Sequence, residues 1–335
     1  MQRHPGLIHR MNKPFSGLSP DVILDSLQSV DLLPDGRLLA LNSYENRVYQ
    51  AGMEESSPLV VKFYRNERWS SEAIIEEHRF VDSLCQSEIP VVPAMEINGE
   101  TLHSHGEFRF ALFERRGGRA PELEREDTLE WMGRFLGRIH AIGGLESYRH
   151  RPSINLETFG MEPGNYLISN DLVPPDLLDA YKTVLNLAFD GVKRAFDMAG
   201  DFKSIRLHGD CHAGNILWTG KGPHFVDFDD SRMGPAVQDI WLLLSGERSD
   251  MTRQLSSFLS GYEQFCEFDT RELYLVEALR TLRLIHYSAW IARRWEDPAF
   301  PPAFPWFGTA RYWQDRILEL REQISLMQEP PLLHT

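Results

Sequence analysis

No stretch of this chain constrains its fold more than residues 206–230, RLHGDCHAGNILWTGKGPHFVDFDD. Two short apolar runs, residues 216–218 and 224–226, read as strands. Before the first lies a loop with glycines at 209 and 214 that carries Asp210 and, five residues on, Asn215. After the second come three carboxylates, Asp227, Asp229 and Asp230. A hairpin of this kind brings Asp210, Asn215 and Asp227 to one end of the strand pair.

Phosphoryl transfer from a nucleotide needs such a trio. One carboxylate orients an acceptor hydroxyl and takes its proton, while an amide oxygen and a second carboxylate hold Mg2+ between phosphates whose charge must be neutralised. The step from Asp210 to Asn215 matches the spacing of H-R-D-x-x-x-x-N followed by D-F-G, the protein-kinase signature, with Gly209 in place of the Arg and Asp229 in place of the Gly. Upstream, Lys62 closes the strand-like run VVK, where a lysine would pair with nucleotide phosphates. Glu77 lies fifteen residues further on, on the apolar stripe Ala73, Phe80, Val81 and Leu84 of the next helix, where it would hold Lys62 by an ion pair. Glu76 competes for that role, and the helical face argument favours Glu77.

The rest of the chain divides in two. Residues 37–44, 47–52, 59–64, 92–97 and 107–114 read as five strands, and residues 70–86 as a helix after the third. The RRGG stretch at 115–118 breaks that pattern, so the boundary is set there: an N-terminal nucleotide-binding lobe, 1–115, and a C-terminal catalytic and substrate lobe, 116–335. Beyond it, helices are expected from a capping-box-like start at Asp127 and Glu130, and over 177–198, 236–245, 251–266, 271–294 and 310–327. Four prolines make 290–306 a bent connection. The fold class is therefore α+β: a small, mainly antiparallel sheet with one helix, and a larger, mainly helical lobe.

The 335 residues include 35 Lys and Arg against 49 Asp and Glu, a formal net charge of −14. That balance argues against a partner made of nucleic acid or an anionic membrane. Three widely spaced cysteines make neither a disulfide framework nor a metal pair, and no apolar run reaches membrane-spanning length. Residues 1–20 lack the apolar core of a secretory signal and read as a loosely ordered lead-in, so a cytoplasmic protein is expected, and as a monomer.

The segments HGDCHAGNILW and VDFDD resemble the catalytic motif of the aminoglycoside phosphotransferase and choline kinase-like superfamily, and LGRIHA at 136–141 resembles the helix that precedes it. LNSYENRVYQ, VVKFYR, GPAVQDIW and RRWEDPAFP extend the likeness to a bacterial stress-response Ser/Thr kinase branch, over roughly residues 21–333. The resemblance implies a bilobal protein-kinase-like fold, use of ATP with Mg2+, and phosphorylation of protein Ser or Thr, including the chain itself. It makes Asp210 the catalytic base, Asn215 and Asp227 the metal ligands, Lys62 the nucleotide lysine and Ser43 an ATP contact. The turn at 42–46 departs from conventional kinases in lacking G-x-G-x-x-G. Phosphate would there be held by the side chains of Ser43 and Asn46, or by backbone N–H groups of a non-glycine turn. Only residues 228–235 separate Asp227 from the next helix, which leaves little room for an activation loop.

Plainer readings compete with several of these. His208, Cys211 and His212 lack the further ligands that a zinc site needs, so His208 reads as a loop brace and Cys211 as a packing thiol. Asp239 reads as a buried acid accepting backbone N–H bonds from the catalytic loop, against a helix-dipole partner. The aromatic residues from Trp290 to Phe307 read as packing under a proline-rich loop rather than a substrate groove. Two functional alternatives stay open. One is a kinase of a small alcohol such as an aminoglycoside, choline or homoserine. The other is a pseudokinase that binds nucleotide without transferring phosphate.

Overall fold

Alternation along the third strand decides where Lys62 faces. In the computed structural model, which describes residues 14–220 and 222–332, that strand is β3 (Leu59–Phe63). It lies in a five-stranded antiparallel sheet with β1 (Pro34–Leu41), β2 (Arg47–Met53), β4 (His103–His105) and β5 (Phe108–Glu114), in the order β1-β2-β3-β5-β4. Val61 and Phe63 join Ala51, Met53, Phe108, Phe110 and Leu112 on one face, covered by Ile23 and Leu27 of α1 (Pro20–Gln28). Each of those two helix residues contributes about 1.5–3 kcal/mol by leaving water. Because side chains alternate, Lys62 and Ala111, its register partner, point to the other face, toward α2 (Ser71–Gln86).

The larger lobe is helical. Its elements are α3 (Glu126–Gly143), α4 (Glu162–Ser169), α5 (Pro175–Ala199), α6 (Val237–Trp241), α7 (Arg248–Tyr262), α8 (Val276–Arg293), α9 (Phe300–Ala303) and α10 (Ala310–Leu326). Two small ribbons, β6 (Ile205–Arg206) with β9 (Met233–Gly234) and β7 (Ile216–Thr219) with β8 (Gly222–Phe225), sit where this lobe faces the sheet. α3 and α7 cross backbone against backbone. A methyl group on Gly133 would sit 1.9 Å from the Phe258 carbonyl, and one on Gly261 2.0 Å from that of Glu130. The architecture is the expected bilobal α+β fold.

Several expectations are corrected. The run 92–97 makes isolated bridges only, Ala94 to Phe113 and Ile97 to Glu100, because Pro90 and Pro93 interrupt its supply of N–H donors. The fourth strand of the sheet is instead β4. α3 has no capping box: Arg125 is its N-cap without a side-chain cap bond, and the Asp127 carboxylate binds Arg125 and the Thr128 N–H. α6 stops at Trp241, well short of 245. Residues 1–13 of the lead-in lie outside the described residues, and α1 already begins at Pro20. Among the described residues, no helix is long and apolar enough to cross a membrane.

Candidate active site

The loop between β6 and β7 is held from beneath by one buried acid. Asp239 of α6, with no exposed side-chain surface, accepts the His208 N–H at 2.7 Å and the Gly209 N–H at 2.8 Å. Its Oδ2 also meets His140 Nε2 at 3.1 Å, and His140 Nδ1 meets the Tyr262 hydroxyl at 2.9 Å. The histidine of LGRIHA is thus the far end of the brace. Gly209 has φ +88°, and a methyl group there would lie 2.1 Å from the Asp230 carbonyl, so the arginine of the protein-kinase signature has no room. His208 Nε2 bonds the Val226 carbonyl at 2.9 Å and its Nδ1 accepts the Asp210 N–H at 3.4 Å. Both ring nitrogens are spent on the loop, which leaves none for a metal. Cys211 is fully buried, and burial pushes its thiol well up from the ordinary range, the state of a packing residue.

Asp210 stands at the rim, a quarter exposed, with Arg283 of α8 2.8 Å from its Oδ1 and His212 3.4 Å from its Oδ2. Burial pushes its pKa up, but the bond to His212 and the charge of Arg283 outweigh that and hold it below the ordinary value. Asn215 donates from Nδ2 to the Asp210 carbonyl at 3.0 Å, so its amide oxygen remains for another partner. The backbone N–H of Val226 bonds the Asn215 carbonyl at 3.0 Å and ties this residue to the segment that ends in Asp227. Asp227 adopts the left-handed conformation (φ +60°, ψ +64°), uncommon for a non-glycine residue, and its side chain is half exposed.

Lys62 reaches this group from across the cleft. Its Nζ lies 2.8 Å from Asp227 Oδ1 and 3.2 Å from Asp229 Oδ1. Burial alone would lower its pKa, but these two carboxylates carry it well above the ordinary value. The expected ion pair between Lys62 and Glu77 is not made, because Asp227 and Asp229 take the ammonium. Glu77 is buried on the inner face of α2, and burial pushes its carboxyl up to about 7 despite Arg151 and Lys62. Glu76 points elsewhere and accepts the backbone N–H groups of Arg149 and His150, both at 2.9 Å.

The β1–β2 turn closes the remaining side. Ser43 is half-buried, and its hydroxyl makes no hydrogen bond among the described residues. Asn46 differs from the expectation of a phosphate contact. Its Nδ2 donates to Asp229 Oδ2 at 3.1 Å and its Oδ1 accepts the Arg65 N–H at 3.1 Å, so its amide is committed to structure. Asp229, in place of a glycine, is buried against Arg68 and Lys62, whose charges overcome the effect of burial and hold it at about 2. Sequence reasoning missed Arg68 and Arg283. Arg283 shares a helical face with Tyr287, Trp290 and Arg294, an i, i+4, i+7, i+11 pattern that marks one side of α8.

Among the described residues, no cluster of three or more His, Cys, Asp or Glu is arranged to hold a metal by itself. Asn215 and Asp227 offer two hard oxygen donors. That set fits Mg2+, which binds through one or two side chains together with substrate phosphates.

The model of the phosphotransferase enzyme family matches residues 37–276. Stress response kinase A of Escherichia coli (strain K12) is 45% identical over 318 residues, 95% of this chain and 96% of that protein. The serine/threonine protein kinase RdoA of Salmonella typhimurium is 43% identical over the same share. Among solved structures, the amicoumacin kinase hAmiN, in complex with AMP-PNP, Ca2+ and Ami, shares the fold with a TM-score of 0.71 at 19% identity, over 93% of this chain and 94% of that one. A spectinomycin phosphotransferase in complex with ADP gives 0.59 at 13% identity, over 92% and 94%.

Proposed function

Because this chain belongs to the phosphotransferase enzyme family, we propose that it is an ATP- and Mg2+-dependent Ser/Thr protein kinase that also phosphorylates itself. The nucleotide lies between the sheet and the helical lobe, with the division at residues 115 and 116. The observation that carries the reading is the meeting of Lys62, Asp227, Asn215 and Asp210 at one cleft, where Lys62 Nζ stands 2.8 Å from Asp227. The protein acceptor is supported by 45% identity to stress response kinase A over 95% of the chain. Arg283 beside Asp210 puts a fixed positive charge on the rim, which suits an acceptor without positive charge of its own and disfavours an aminoglycoside or choline.

In this reading Asp210, held ionised by its bond to His212 and the charge of Arg283, orients the Ser or Thr hydroxyl and accepts its proton. Lys62 leaves Asp227 to bind nucleotide phosphate, and Ser43 offers its free hydroxyl to the same phosphates. Glu77 lies behind Lys62 without direct contact, its carboxyl pushed up to about 7 and so only partly ionised at neutral pH. Asn46 supports the turn. Mg2+, when bound, neutralises phosphate charge, and Asn215 and Asp227 would hold it.

The test is transfer of labelled γ-phosphate from ATP to the chain itself and to a generic protein substrate. Asp210→Ala should lower transfer by about 100- to 10,000-fold, the range for loss of a general base, with ATP affinity nearly unchanged. Label on protein Ser or Thr that vanishes in this variant supports the reading. ATP turnover with no labelled protein, and label on a small alcohol instead, overturns it, as does full activity in the variant.

A further inference from the structure

The motif RRWEDPAFP, residues 293–301, has no part in the chemistry above, yet it meets the β1–β2 turn across the cleft. Asp297 is fully buried. Arg47 Nη2 donates to both of its oxygens, at 2.7 and 3.0 Å, Arg65 Nη2 to Oδ2 at 2.5 Å, and the Ala299 N–H to Oδ1 at 3.0 Å. From the turn, Glu45 reaches back. Its carboxylate meets Arg294 Nε at 2.6 Å, Trp290 Nε1 at 2.6 Å and Arg65 Nε at 3.1 Å. Tyr44 packs its ring 5.2 Å from that of Phe304. Arg65 also donates to the backbone carbonyls of Glu45, at 3.0 Å, and Tyr44, at 3.3 Å. Two carboxylates, one from each lobe, are thus interlocked with arginines of both lobes.

Buried ion pairs contribute little net stability, because desolvation offsets their attraction. What they do supply is a unique relative placement. The turn they hold carries Ser43 and ends at Asn46, which bonds Asp229 beside Lys62. It contains no glycine, so it lacks the freedom with which a Gly-rich loop settles over phosphates.

We propose that Glu45 and Asp297 are positioning residues for the nucleotide: together they clasp the β1–β2 turn to residues 290–304, so that the helical lobe fixes the turn over the phosphates. This inference rests on the proposed nucleotide site. The clasp acts on ATP binding, and the acceptor site beside Asp210 lies outside it.

The experiment compares wild type with Glu45→Gln, Asp297→Asn and the double variant, using Mg-ATP and a protein acceptor. Each single variant should raise Kd and KM for ATP by roughly tenfold, since the other carboxylate still holds the turn. kcat at saturating ATP and KM for the acceptor should stay within about threefold. The double variant should be far from additive, since each change frees the same turn. Arg47→Gln, altered at a partly exposed side chain, gives the same readout should Asp297→Asn fail to fold. Folded variants with unchanged ATP affinity overturn the clasp, even if their Tm falls, and so does an effect confined to the acceptor. A wild type that binds no Mg-ATP overturns the nucleotide site itself, an outcome visible before any variant is made.

Discussion

Two irregular segments face each other across the cleft, and they are secured in opposite ways. The loop at 208–215 is anchored within its own lobe, by backbone N–H groups on one buried carboxylate some 30 residues away. The turn at 42–46 is anchored across the cleft: Glu45 pairs with Arg294 and Trp290, and Arg65, which holds the turn's backbone carbonyls, pairs with Asp297, 232 residues away. Short backbone-to-carboxylate bonds fix atoms to a fraction of an ångström and do not depend on how the lobes lie. Long guanidinium pairs hold only while the lobes are together. The proposed acceptor side is therefore built to be permanent, and the proposed nucleotide side to be conditional.

Asp239→Asn should disturb the molecule most. An amide can accept from only one side, so either the His208 or the Gly209 N–H loses its bond, and His140 loses its anionic partner. A fall in stability of about 1–3 kcal/mol is expected for a buried N–H left without its acceptor, read as a lower midpoint in urea. An unchanged midpoint would erase the contrast between the two anchors. The clasp variants come next, with their tenfold effect confined to ATP. Arg283→Gln should be milder. It should lower kcat/KM for the protein acceptor by up to about tenfold and leave KM for ATP unaltered, because Arg283 pairs with Asp210, on the proposed acceptor side. An effect on ATP instead would merge the two regions.

The last effect appears only as pH changes, and it concerns the floor under Asp239. Glu272 accepts the Val237 N–H at 2.8 Å at the start of α6, and burial pushes its carboxyl from 4.5 up to about 7. The unfolded chain gives up this proton first as pH rises, so stability from this group is present below pH 4.5 and is lost between there and about 7. Glu272→Gln removes that loss. Relative to wild type it should gain at most about 3 kcal/mol in going from pH 4.5 to pH 8, measured by urea unfolding at both. A difference that does not move with pH would detach Glu272 from the loop's support.

The two regions also differ in how far they can be read from residues alone. Asp210, Asn215 and Asp227 lie in one continuous motif whose residue types and spacing carry chemistry, and Lys62 ends a strand whose alternation sets its direction. The brace at Asp239 is legible too, since an acid among Ile240, Leu243 and Leu244 needs partners. The clasp is not, because nothing local links Glu45 to Arg294 or Arg47 to Asp297. RRWEDPAFP carries the resemblance and the bend of 290–306, but its spacing says nothing of which charges it meets. Strand β4 went unread for a local reason: three residues carry no periodicity, while 92–97 looks strand-like and Pro93 takes a donor from its middle, so that it makes only isolated bridges. The ion pair expected between Lys62 and Glu77 assumed that no other acid competed, and Asp229, standing where a glycine was the model, does so.

Trp290 gives the clasp an optical consequence. Its indole N–H is held by Glu45 at 2.6 Å, and its ring is stacked on Tyr287 at 5.7 Å. An indole released by Glu45 exchanges a carboxylate for water, and its emission moves toward the red. With Trp290→Phe as the blank against the chain's seven other tryptophans, unlabelled protein reports whether Glu45 keeps its hold on this indole as ATP binds.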